Sequence, residues 1–140
     1  MKLAEPPHDL VDAAVQVIQN AYAPYSGFRV ASAVRAGSGR IYVGVNVENS
    51  SYGLTVCAER VAVFSAITNG EREIREVLVY TADSEEPVFP CGACLQVLSE
   101  FGGENTIIHA LAGRSGRYSS ARLSELLPRA FRFRPARRLP

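Results

Sequence analysis

Three cysteines constrain this chain more than any other feature. Cys57 stands two positions before Glu59 in "TVCAERVAVF", and Cys91 and Cys94 stand three apart in "FPCGACLQVL". Three thiols cannot all pair as disulfides, whereas three thiolates can share one metal ion. Both clusters fall at expected helix starts. Pro90 suits the position just before a helix, and a spacing of three puts Cys91 and Cys94 on one face. The free N–H groups and the positive dipole end of a first helical turn favour thiolate over thiol. A fold that uses all three sulfurs must bring two helix starts together.

A C-x-x-C pair at a helix start is either half of a zinc site or a redox pair. The redox reading needs no third cysteine, and the order of elements around the pair is not thioredoxin-like. If the three sulfurs converge, a tetrahedral zinc keeps one open corner, whereas a closed structural site needs a fourth protein ligand. Only His8 and His109 could supply a fourth nitrogen. His8 lies in the N-terminal arm and His109 inside an apolar strand, where a satisfied core residue is the plainer reading. Glu59 points to a different side of the first turn from Cys57, poorly placed as a ligand but within reach of a water on the metal. There a carboxylate can take a proton and return it; its competing role is to complement the helix dipole. Three thiolates overcompensate Zn²⁺, and Arg60 is expected to donate to sulfur and withdraw charge, the alternative being a surface arginine.

Around these motifs the pattern alternates. "DLVDAAVQVIQNAYA" carries Leu10, Ala14, Val17, Ile18 and Ala21 at helical spacing, with Asp9 as its expected cap. "FRVASAVRA" and "RIYVGVNV" are strand-like runs joined by "GSG", and Gly44 with "NVENSSYG" leads off the second as a loop. A helix follows from Cys57 to a stop at Asn69-Gly70. "EVLVYTA" reads as a strand, "DSEEPVFP" as a loop, "CGACLQVLSEF" as a helix and "TIIHALA" as a strand. "RSGRYSS" turns the chain, and "ARLSELL" is a last short helix. Strands alternating with helices, after an opening hairpin, predict an α/β fold: a three-layer α/β/α sandwich with a mixed central sheet. The expected organisation is one domain over residues 1–140, with 132–140 a flexible basic tail.

Composition excludes several classes. Apolar residues make up 47% of the 140, enough for a core without disulfides. No run is long and apolar enough to cross a bilayer, and "MKLAEPPHDL" lacks the apolar stretch of a signal peptide. A soluble cytoplasmic protein with no membrane partner is expected. Net charge is +1, but residues 114–140 hold eight arginines against Glu125 alone, or +7, leaving −6 on the other 113. A negative body opposes polynucleotide binding, so the basic end reads as a solvated terminus rather than a nucleic-acid surface.

Taken in order, "YAPYSGF", "GVNVENSSYG", "CAERVAVF", "PCGACLQVLSEF" and "ELLPRAF" resemble the zinc-dependent cytidine deaminases, in their short-chain homotetrameric form. The resemblance runs from about Tyr22 to Phe131. It implies one Zn²⁺ per subunit on Cys57, Cys91 and Cys94, and Glu59 as the proton shuttle. It implies that Asn46 and Glu48 hold the ribose hydroxyls, that Phe28 packs on the base and that the Ala58 backbone meets the pyrimidine edge. Phe131 would reach a neighbouring subunit's pocket and Tyr52 would sit near a subunit boundary. The implied reaction is attack of zinc hydroxide on C4 of cytidine or 2′-deoxycytidine, giving the uridine product and ammonia in pyrimidine salvage. A carboxylate and an amide suit a diol, and an aromatic face suits a pyrimidine.

The chain departs from the family pattern at Leu95, where arginine is usual, at "GVN" for "GCN" and at "RVASA" for "PVGAA". "VASA" and "GVNV" are similar to the blasticidin S deaminases, which leaves a modified cytosine nucleoside as an alternative substrate; "NVENSSYG" favours ordinary nucleosides. Further rivals are a polynucleotide-editing enzyme, whose relatives carry His-Ala-Glu in place of Cys-Ala-Glu, and a non-enzymatic zinc module closed by His109.

Overall fold

The computed structural model describes residues 5–133. Helix α1 (His8–Val17) starts after Pro7, the cap residue, so Asp9 is not the cap. Proline at the cap lacks a side-chain acceptor, and Asp9, already inside the first turn, is spent instead on Arg35 of the sheet at 2.8 and 2.9 Å. A 3-10 turn, Ile18–Asn20, ends the helix.

Strands β1 (Val30–Ala36) and β2 (Ile41–Val45) form the hairpin, β3 (Ile74–Thr81) pairs antiparallel with β1, and β4 (Ile107–Ala112) runs parallel to β3. A fifth strand, β5 (Tyr118–Arg122), closes the far edge antiparallel to β4, giving the order β2-β1-β3-β4-β5. The sequence reading placed most of β5 in a turn. Its residues are polar and none is buried, because an edge strand paired on one side needs no apolar alternation.

Two apolar layers flank the sheet. Leu10 and Ala14 of α1 pack with Ala31, Ala33 and Leu78 on one face. On the other, helix α2 (Ala58–Thr68) and helix α3 (Gly92–Phe101) bury Ala62, Val63, Ala66, Leu95 and Leu98 against Val34, Val77, Val79 and Ile108. The short helix α4 (Leu123–Leu126) adds Leu123 to that second layer. The central strands are buried on both faces, as a sheet between helical layers must be. The architecture is therefore the mixed three-layer α/β/α sandwich.

Gly44 fixes how α2 lies on the sheet. It belongs to β2 rather than to the loop beyond it. A Cβ there would stand 2.6 Å from the Ala58 carbonyl and against the Ala62 nitrogen, so only glycine lets the helix backbone come this close. The first turn of α2, which carries Cys57 and Glu59, is seated by that contact.

Candidate active site

Cys57 is the cap residue of α2 and Cys91 the cap residue of α3, each with extended backbone, and Cys94 lies one turn into α3. Each helix thus presents sulfur where its N–H groups are free. The "NVEN" loop reaches Cys57 by a short route: Val47 and Val56 exchange backbone hydrogen bonds at 3.0 Å, and Val56 precedes the cysteine.

The three ligand atoms lie within 4.8 Å of one another, and the Cys91 and Cys94 sulfurs are 3.6 Å apart. Zinc–sulfur bonds of about 2.3 Å in a tetrahedron set ligands about 3.8 Å apart, so the sulfurs fit this ion. Charge fits as well. Arg60 Nη2 donates to Cys57 Sγ at 3.6 Å, and Arg60 Nε is buried with no acceptor among the protein atoms. A zinc ion on three thiolates carries a net charge of about −1, which the partly buried Arg60 guanidinium offsets. Cys57 is pushed down to about 5, first by its hydrogen bond from Cys94 and then with help from Arg60, while the same bond and burial push Cys94 up.

His109 is not among the clustered donors. Its ring nitrogens meet Ser120 Oγ at 2.6 Å and Glu76 Oε2 at 2.7 Å, and it is 2% exposed. It is a satisfied core residue, so it does not close the metal site.

A cavity of about 320 Å³ opens beside the sulfurs, lined among others by Phe28, Asn46, Glu48, Ala58, Glu59 and Cys91. Burial holds the Glu59 carboxyl up at about 7, and Cys57 adds to the effect. Asn46 is buried and doubly engaged: its Oδ1 accepts the Val30 N–H at 3.0 Å and its Nδ2 donates to the Phe28 carbonyl at 2.8 Å. One Nδ2 hydrogen stays free for a ligand. Glu48 Oε1 accepts the Tyr25 and Ser26 N–H groups at 2.9 and 3.1 Å, and Oε2 accepts the Ser26 hydroxyl. The Ser26 hydroxyl bond, foremost, holds the Glu48 carboxyl below its usual range. Gly27, at φ 69°, makes the turn that delivers Phe28 to the cavity.

Two residues singled out in the sequence lie elsewhere. Tyr52 is 75% exposed, its ring edge-on to Tyr25 at 5.9 Å, and Phe131 is 73% exposed with its carbonyl accepting Gln96 Nε2 at 2.9 Å. Neither lines the cavity beside the sulfurs. Val88 and Phe89 do line it, and nothing in the "DSEEPVFP" loop marked them beyond their place before Pro90.

Residues 5–110 match the family model of the cytidine and deoxycytidylate deaminase zinc-binding region. A cytidine deaminase of Halalkalibacterium halodurans is 43% identical over 122 residues, which cover 87% of this chain and 91% of that protein. Among solved structures, the 1.6 Å crystal structure of cytidine deaminase from Burkholderia pseudomallei superposes with a TM-score of 0.83 at 39% identity, covering 90% of this chain and 99% of that one. Cytidine deaminase from Mycobacterium tuberculosis gives 0.75 at 38% identity, over 89% and 96%.

Proposed function

The chain belongs to the cytidine and deoxycytidylate deaminases, and from that membership we infer that it is a zinc-dependent hydrolase converting cytidine and 2′-deoxycytidine to uridine and 2′-deoxyuridine with release of ammonia. The observation that carries this reading is one cavity with a cysteine triad at one end, Glu59 beside it and Phe28, Asn46 and Glu48 around the rest. The relatives that the chain matches are named cytidine deaminases and give no support to a modified cytosine nucleoside such as blasticidin S.

Zinc, when bound by Cys57, Cys91 and Cys94, supplies Lewis acidity that makes water a nucleophile near neutral pH. The protein's own groups do the rest. Phe28 packs on the pyrimidine and the Ala58 backbone meets its edge. The free Asn46 Nδ2 hydrogen and the remaining Glu48 Oε2 lone pairs hold the ribose hydroxyls, so a base without its sugar leaves both groups unpaired. Glu59 accepts a proton from the attacking water and delivers it to N3, then carries the second proton to the leaving 4-amino group. The C4–N bond breaks, C4 gains the water oxygen, and both water protons are accounted for. Arg60, bonded to Cys57 sulfur, withdraws charge from the thiolates and keeps the metal acidic.

One continuous sheet supports residues 1–140 as a single domain; of the proposed basic tail at 132–140, residues 134–140 lie outside the described part. The exposed Tyr52, Leu54, Phe64 and Phe131 support a homotetramer in which Tyr52 lies at a subunit boundary and Phe131 completes a neighbour's pocket. Three free cysteines support a cytoplasmic setting, and no helix among the described residues is long and apolar enough to cross a membrane. The partner is a small nucleoside rather than nucleic acid.

Metal content measured alongside ammonia release tests the whole reading. One zinc per subunit is expected, with turnover of cytidine and deoxycytidine well above that of blasticidin S. A preparation that holds zinc and releases ammonia from neither nucleoside would refute it.

A further inference from the structure

The two walls of the cavity come from segments far apart in sequence. Phe28 lines the cavity from the segment between the Gly27 turn and β1, and Val88 and Phe89 line it from the end of the loop between β3 and Cys91. One ion pair joins them. Arg29, next to Phe28, donates from Nη2 to Asp83 Oδ1 at 2.8 Å, and from Nε and its backbone N–H to Asp83 Oδ2 at 3.1 and 2.9 Å. We infer that Arg29 and Asp83 are positioning residues that hold the Phe28 wall at a fixed distance from the Val88–Phe89 wall, and so set the width of the opening that receives the base.

Each side of the pair also has anchors of its own. Around Phe28, its N–H donates to Ser26 Oγ at 3.0 Å, its carbonyl accepts Asn46 Nδ2 at 2.8 Å, and the next two N–H groups go to Asp83 and Asn46 Oδ1. The Arg29 carbonyl accepts the Ala82 N–H at 3.1 Å. The facing loop is tied to the β4–β5 turn: the Arg114 N–H donates to the Ser84 carbonyl at 3.2 Å, Ser115 Oγ to the Glu85 carbonyl at 2.5 Å, and Arg117 pairs with Glu86. The β1–β3 ladder ends at the bond from Ala82 to Arg29, and the three bonds to Asp83 carry the coupling of the two segments beyond it.

A two-point guanidinium–carboxylate contact fixes angle as well as distance, which lysine at position 29 cannot do. The side chains are 47% and 20% exposed, so the pair adds little to global stability. Its consequence is therefore geometric and belongs in substrate affinity. The pairing spans 54 residues and leaves no local signature in the sequence.

This inference rests on the nucleoside reading of the cavity, and the test separates the two. In Asp83→Ala, KM for cytidine is expected to rise on the order of tenfold with kcat within about twofold and zinc content unchanged. Asp83→Asn, which keeps an acceptor for the Arg29 N–H, should fall between. Amide hydrogen exchange at Arg29 should quicken in Asp83→Ala whatever the substrate. An Asp83→Ala protein with wild-type KM, or with unchanged exchange at Arg29, overturns the positioning role. If the wild type releases no ammonia from cytidine, the nucleoside reading fails and the exchange measurement alone decides the clamp. Should Asp83→Ala not fold, Arg29→Gln removes the two guanidinium bonds from the other side while keeping the backbone bond to Asp83, and it carries the same expectations for KM, kcat and zinc content.

Discussion

Glu59 and Arg60 are neighbours with opposite tasks, and their variants should separate proton transfer from metal binding. The Glu59 side chain is buried in the cavity wall and is absent from the sulfur cluster. Glu59→Gln is therefore expected to keep its zinc while losing about two to four orders of magnitude in kcat, the range for removing a general acid–base. Near-normal turnover in that variant would remove Glu59 from the mechanism. Arg60→Ala should instead loosen zinc by roughly 10- to 100-fold, as loss of an outer hydrogen bond to a ligand does, measured by competition with a chelator. A third expectation concerns pH. The Arg29 hydrogen bonds hold Asp83 at about 2, below its ordinary 3.8. A depressed carboxyl makes its contribution above the ordinary value and loses it as pH falls through the folded value. The KM ratio between Asp83→Ala and wild type should therefore stay flat from about pH 5 to about pH 9. These residues differ in how readable they were. Cys57, Glu59, Cys91 and Cys94 sit in contiguous motifs whose spacing already carries chemistry, whereas Arg29 and Asp83 meet only through the β1–β3 pairing.

Among the elements, those with a clear apolar period were legible and those set by tertiary contact were not. The two helix starts, the hairpin and the buried strands β3 and β4 follow from capping positions and apolar runs. Strand β5 escaped because "YSSAR" has no apolar face; it forms by pairing with β4, where Ser120 stands opposite His109. Gly44 escaped because a glycine just before the polar "NVENSSYG" stretch reads as a strand end, while the reason for a glycine there is the backbone of α2. Gly44→Ala should cost about 1 to 3 kcal/mol by chemical denaturation, as overpacking does, and should lower zinc content by moving the first turn of α2. His109→Ala offers the contrast. It leaves Glu76 and Ser120 without their buried partner, at a cost of about 1 to 3 kcal/mol, yet zinc content should not change. Loss of zinc from His109→Ala would return that imidazole to the metal site.

For the whole molecule, the proposed homotetramer would give the exposed aromatics a partner of the same sequence. Phe131 stands 73% exposed, outside the cavity, on a segment held to α3 through Gln96. If that ring completes a neighbour's pocket, each active centre draws its Glu59 and its Phe131 from different chains. Two inactive variants should then repair each other. Glu59→Gln supplies a sound Phe131, and Phe131→Ala supplies a sound Glu59, so a mixed oligomer contains centres with both. With random assembly, half the centres have an intact Glu59 and half of those face an intact Phe131. Co-expression of the two should recover about a quarter of wild-type turnover per subunit, although either variant alone has almost none. The gain depends on mixed assembly, so refolding the variants separately and combining them without subunit exchange should give none. Turnover no higher than the sum of the separate variants, in oligomers shown by mass to be mixed, would mean that each chain builds its pocket alone.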